Sequence, residues 1–131
     1  MIGLDTNVLV RFFMQDDSSQ CTQVNAILNS LSEDQLGWIG LAAVLELVWV
    51  LTSTYRVNRS GVFAILEHLL ERREIVVDQA EIVRRALEIY RNPRISFADC
   101  VISASAVAGG CTQTLTFDED AAKLAGMTLI T

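Results

Sequence analysis

The chain has 131 residues, 51% hydrophobic and 20% charged, which is enough for one hydrophobic core and excludes a disordered chain. Ten basic residues against sixteen acidic ones leave a net charge of -6, which excludes a generally basic protein that coats nucleic acid. Cys21, Cys100 and Cys111 have neither zinc spacing nor the pairing of a disulfide framework, so they are read as reduced thiols of a cytoplasmic protein.

The segment Met1-Ile2-Gly3-Leu4-Asp5 has no basic start and no long apolar run, so no secretory leader is expected. Ile2 to Leu4 reads as a first strand, and Asn7 to Met14 has helical apolar spacing. Ser18 or Ser19 caps a second helix from about Gln20 to Leu31. Gly37 to Ile39 is a second strand. Leu41 to Tyr55 follows as a helix that is apolar on nearly every side and is expected to be buried. The apolar stretch from Trp38 to Leu51 is broken by Glu46 and falls short of the ~18 to 20 residues of a membrane span, so no membrane association is expected. Ser60 caps a helix to about Arg72, and Ile75 to Val77 is a β-branched third strand. Ala80 to Tyr90 is an amphipathic helix ended by Asn92-Pro93. Phe97 to Ala108 is an apolar helix ended by Gly109-Gly110. Thr112 to Thr116, Asp120 to Ala125 and Thr128 to Ile130 complete the chain as strand, short helix and strand.

Strands alternating with helices predict an α/β fold with a parallel sheet covered by helices on both faces. Ligands of such sheets bind beyond the carboxyl ends of the strands, here after Leu4, Ile39, Val77 and Leu115. Asp5 follows the first strand, where it either caps the next helix or serves a site. Glu46 is the only charge between Gln35 and Arg56. If buried, it needs a cation from another helix, a metal or a proton. Asp99 lies in Ser96-Phe97-Ala98-Asp99, which also has the spacing of a capping box. Asp118 follows the fourth strand, in a run with Glu119 and Asp120 that would also suit a helix start. Grouped carboxylates call for a hard cation, Mg²⁺ or Mn²⁺, which lowers the pKa of bound water and offsets charge on a reacting phosphate. His68, the only histidine, sits mid-helix among leucines and is read as structural. No Ser-His-Asp or Cys-His arrangement and no glycine-rich phosphate loop is present.

Four segments resemble the PIN-domain ribonucleases, and within them the VapC-like toxins of bacterial toxin–antitoxin pairs. They are Ile2-Gly3-Leu4-Asp5-Thr6-Asn7-Val8-Leu9, Val44-Leu45-Glu46-Leu47-Val48-Trp49-Val50-Leu51, Phe97-Ala98-Asp99-Cys100-Val101-Ile102-Ser103-Ala104 and Thr116-Phe117-Asp118. The resemblance covers essentially the whole chain. It implies one PIN-like domain, 1–131, built as a three-layer sandwich with a central parallel sheet of about four or five short strands. It also implies a metal-dependent endoribonuclease in which Asp5, Glu46, Asp99 and Asp118 are catalytic and Asp5, Asp99 and Asp118 hold the metal. Thr6, Asn7 and Thr116 would support those ligands, and Asp120 lies close enough to share or take the role of Asp118. The family's Ser or Thr shortly before the glutamate is missing from Leu41-Ala42-Ala43-Val44. The implied partners are an RNA substrate, a small antitoxin protein and a second copy of the chain. The crowded apolar sets Phe12, Phe13, Met14 and Phe63, Ile65, Leu66, Leu69 also suggest an interface. Arg11, Arg84, Arg85, Arg91 and Arg94 are candidates for a phosphate track.

Two rivals fit less well. An Asp-dependent α/β phosphatase needs a second acid beside Asp5 and a later lysine, but Asn7 stands there and Lys123 is the only lysine. A catalytically silent PIN-like binding module would have lost acids, and all four are present.

Overall fold

A parallel pair of strands cannot be closed by a tight turn and needs a crossover, which in this sequence is always helical. The computed structural model describes residues 1–131, which form two compact units, Met1–Asp78 and Gln79–Thr131. In the first unit β1 (Ile2–Gly3) leads through α1 (Thr6–Met14) and α2 (Ser18–Ser30) to β2 (Gly37–Ile39). From there α3 (Leu41–Ser53) and α4 (Arg59–Glu71) lead to β3 (Ile75–Val77). The three strands are parallel in the order β1-β2-β3, with Gly3 opposite Trp38 and Trp38 opposite Val76. Gly37, Ile39, Ile75 and Val77 are buried while Trp38 and Val76 are partly exposed, the alternation of a sheet with one well-covered face. Leu9, Leu28, Leu47, Leu51, Leu66 and Leu69 fill the core of this unit, with α1 packed on α2 and α3.

The second unit holds α5 (Ala80–Tyr90), α6 (Phe97–Ala108), β4 (Leu115–Thr116), α7 (Glu119–Leu124) and β5 (Thr128–Leu129). Helices α5 and α6 pack on each other around Val83, Leu87, Cys100 and Ala104, and the Tyr90 and Phe97 rings meet edge to face at 5.4 Å. Strands β4 and β5 are parallel neighbours. The buried Ser103 hydroxyl donates to the Ala125 carbonyl at 2.5 Å, tying α6 to the end of α7. The α/β class and the parallel pairing of the strands agree with the expectation. The hydrogen-bonded strands, however, form a three-stranded sheet in the first unit and a two-stranded sheet in the second rather than one sheet of four or five, because β4 and β5 pair only with each other. No helix is long and apolar enough to cross a membrane.

Two helix caps, one strand and one burial pattern differ from the sequence reading. The fourth strand covers only Leu115–Thr116, not Thr112 to Thr116, because only those two residues pair with β5. Asp17, not Ser18 or Ser19, caps α2 by accepting from the Gln20 amide at 2.9 Å. Asn58, not Ser60, caps α4 by accepting from the Gly61 amide at 2.9 Å. In both cases a short side-chain carbonyl upstream reaches the third amide of the helix first, so the serines fall inside the first turn. Helix α3 is not buried all round. Val44, Leu47, Val48 and Leu51 make a single inward stripe, leaving Ala42, Glu46 and Trp49 on the opposite, exposed face.

Candidate functional site

The parallel order of β1, β2 and β3 brings their carboxyl ends to one edge of the sheet. The residue after each strand is fixed there by the backbone: the Leu4 amide donates to Trp38 at 2.8 Å, and the Asp78 amide donates to Ile39 at 2.8 Å. Helices α1 and α3 start at the same edge, directly after Asp5 and Gly40. The edge is hollowed into an open cleft of about 680 Å³, lined by Gly3, Asp5 and Thr6 from the first crossing and by Trp38, Gly40, Ala42, Ala43 and Glu46 from the second. Asp78 lines it from the third. Ala42, Ala43 and Glu46 share a helix face by the three- and four-residue spacing, and the two alanines leave the cleft floor low.

Asp5 is the N-cap of α1, and its Oδ1 accepts from the Thr6 amide at 2.8 Å. The hydrogen bond to the adjacent amide holds the carboxylate at the helix start and engages only one of its oxygens, so capping and ligation are compatible roles. Thr6 is buried and Asn7 exposed. Glu46 is exposed, against the burial expected of it, and carries no ion pair. The reason is the single inward stripe of α3, which puts Glu46 on the far side from Val44 and Leu47. Asp78 was not among the expected site residues. The signal was the one used for Asp5, an acid directly after a strand, and its position after Val77 carried it.

The remaining candidates lie in the second unit. Ser96 caps α6 by accepting from the Asp99 amide at 3.1 Å, a bond that uses the backbone of Asp99 and leaves its half-buried carboxylate uncommitted. Asp118 caps α7, its Oδ1 accepting from Ala121 at 2.8 Å, and its own amide donates to the Thr116 hydroxyl at 3.0 Å. Asp120 pairs with Arg94 at 3.0 Å. Asp118 and Asp120 therefore differ in kind: one is held by amides, the other neutralised by a guanidinium. Neither unit contains a group of three or more His, Cys, Asp or Glu side chains close enough to share an ion.

Most of the expected phosphate track is occupied. Arg11 pairs with Asp16, Arg84 with Glu81, Arg91 with Glu88 and Arg94 with Asp120, so Arg85 alone of the five has no ion pair. Around Arg11 the geometry is a small network. Tyr55 donates to Asp16 at 2.6 Å and accepts from Arg11 at 3.2 Å. The Tyr55 hydroxyl, helped by the Arg11 charge, holds the Asp16 carboxyl below the usual carboxylate range. His68 is exposed and lies against Phe12 and Phe13, with the Phe13 ring edge-on at 5.7 Å, which supports its structural reading. A second cleft, between α5, α6 and the Gly126 turn, has Arg84, Arg85, Glu81 and Glu88 on its rim and contains none of the expected acids.

Comparison with known proteins gives the family. The chain is 24% identical over 122 residues to a VapC ribonuclease of Aquifex aeolicus (strain VF5), covering 92% of this chain and 90% of that protein. The PIN domain profile matches residues 2–127. On that near-complete match the chain belongs to the PIN domain family.

Proposed function

We propose that this chain is a Mg²⁺-dependent endoribonuclease, with Mn²⁺ as an alternative ion, and the toxin of a toxin–antitoxin pair. In this reading residues 1–131 act as one PIN-like domain, in the cytoplasm, as a homodimer that a small antitoxin protein silences. The observation that carries the catalytic part is the shared cleft, where Asp5 and Glu46 face one space at the carboxyl edge of a parallel sheet. Family membership and the ribonuclease relative support the same reading.

The donor chemistry fits a hard dication. Mg²⁺ keeps several waters and is commonly held by one or two carboxylates together with substrate phosphate, so it does not need a complete protein cage. Asp5 and Glu46 meet that requirement from one cleft, both exposed and free of ion pairs. Asp99 and Asp118 belong to the proposed ligand set through the resemblance, with Asp120 as the alternative to Asp118. A bound dication supplies charge neutralisation at phosphorus and a more acidic water.

The chain's own residues do the positioning. The Thr6 amide fixes the direction of the Asp5 carboxylate. Gly40 starts α3 without a side-chain cap, so the first-turn amides of that helix remain open to a phosphate oxygen, which the helix dipole also favours. Purified protein is expected to cut single-stranded RNA in Mg²⁺ or Mn²⁺ and to stop on addition of EDTA. Undiminished cutting after exhaustive metal removal would refute the metal-dependent mechanism.

A further inference from the structure

The cleft holds one large aromatic side chain that no part of the mechanism uses. Trp38 lies mid-strand on β2, between Gly3 and Val76 on the neighbouring strands, and is 37% exposed. A glycine makes room for it. At Gly40 an added Cβ would stand 3.1 Å from Trp38 Cη2 and 3.2 Å from Cζ3, so the benzo edge of the indole lies directly on the Gly40 backbone. The ring is therefore folded along its own strand toward the carboxyl edge, into the cleft that Asp5 and Glu46 line.

A large apolar ring beside carboxylates is a poor contact for a phosphate and a good one for a base. Every nucleobase has a π-face, and stacking on an aromatic side chain is a main source of affinity for unpaired strands. The carboxylates and their ion would address the backbone, while the indole would hold the neighbouring base. We propose that Trp38 is a stacking platform for an unpaired base of the RNA substrate next to the scissile phosphate, and that Gly40 is the residue that lets the ring reach that position. This rests on the ribonuclease reading and adds to it where the substrate lies.

The test uses a Trp49→Phe chain, in which Trp38 is the one remaining indole, and a short cleavage-resistant phosphorothioate RNA labelled with a dye, in Mg²⁺. RNA binding read from dye anisotropy is expected to quench Trp38 emission in parallel. Trp38→Leu in the wild-type chain should weaken binding roughly 5- to 160-fold, the range of one lost base stack. On cleavable RNA the same variant should raise KM more than it lowers kcat. Trp38→Phe should restore most of the affinity because an aromatic face remains. Gly40→Ala should keep both indoles and still weaken binding, because the methyl displaces the ring by a few tenths of an ångström or more.

Binding seen by anisotropy with unchanged Trp38 emission, or equal affinity in Trp38→Leu, overturns the platform and leaves the ribonuclease reading standing. An indole that acrylamide cannot reach in the free protein also overturns it, since a base needs the same open face. No RNA binding by wild-type protein overturns both.

Discussion

Replacing Asp5 by Asn removes one negative charge at nearly constant volume and keeps a carbonyl oxygen where Oδ1 now accepts from the Thr6 amide at 2.8 Å. Replacing it by Ala removes the charge and the acceptor together. The pair separates the two roles the structure gives this residue. Loss of an N-cap acceptor costs about 1 kcal/mol, or roughly 3 to 4 °C in Tm for a chain of this size, so Asp5→Ala should melt lower by that amount in EDTA. Asp5→Asn should melt within about a degree of wild type under the same conditions, because the cap persists. Mg²⁺ binds only the folded site, and at a hundredfold excess over Kd it should stabilise wild type by about 2.7 kcal/mol, on the order of 10 °C. Both variants should lose most of that shift, since each lacks the carboxylate charge. The assay is differential scanning calorimetry with EDTA and across a Mg²⁺ titration. A full Mg²⁺ shift in Asp5→Asn would place the ion elsewhere and refute the cleft as its site. An Asp5→Ala chain as stable as wild type in EDTA would refute the capping role.

Asp99→Asn should reduce RNA cleavage on the order of 100-fold or more with little change in Tm, because the α6 cap is made by the Ser96 hydroxyl to the Asp99 backbone and survives the change. Retained activity in that variant would reduce Asp99 to a helix-start acid. Tyr55→Phe removes the hydroxyl that donates to Asp16. Because that bond lowers the Asp16 pKa in the folded state, its stabilisation is present at neutral pH and disappears as pH falls through the depressed value. The Tm gap between wild type and Tyr55→Phe should therefore be widest near pH 7 and narrow in acid below the usual carboxylate range; a gap independent of pH would contradict this. Light scattering at micromolar concentration should give twice the chain mass for the proposed homodimer, and a monomer mass would reject it.

The extent of the elements was legible from the sequence because short-range physics sets it. Ile75–Val77, Ala80–Tyr90 and Phe97–Ala108 are bounded by β-branching, by Asn92-Pro93 and by Gly109-Gly110, all local signals, and the structure places them where the pattern did. The acids after β1 and β4 were equally legible, since the alternation of strand and helix already says which strand ends carry chemistry. The exposure of Glu46 was not. An apolar helix with one charge reads as buried, and only its packing on α1 decides that Val44, Leu47, Val48 and Leu51 alone turn inward. The pairing of the arginines was likewise hidden: Arg94 with Asp120 spans helix α6 and strand β4. Asp78 and Trp38 join Asp5 and Glu46 for a tertiary reason. Parallel register aligns three strand ends that are far apart in sequence, and the missing Cβ of Gly40 decides which way an indole two residues earlier can lie. Sequence fixes what each residue can do; which residues face a common space is settled by strand order and by which side of a helix is buried.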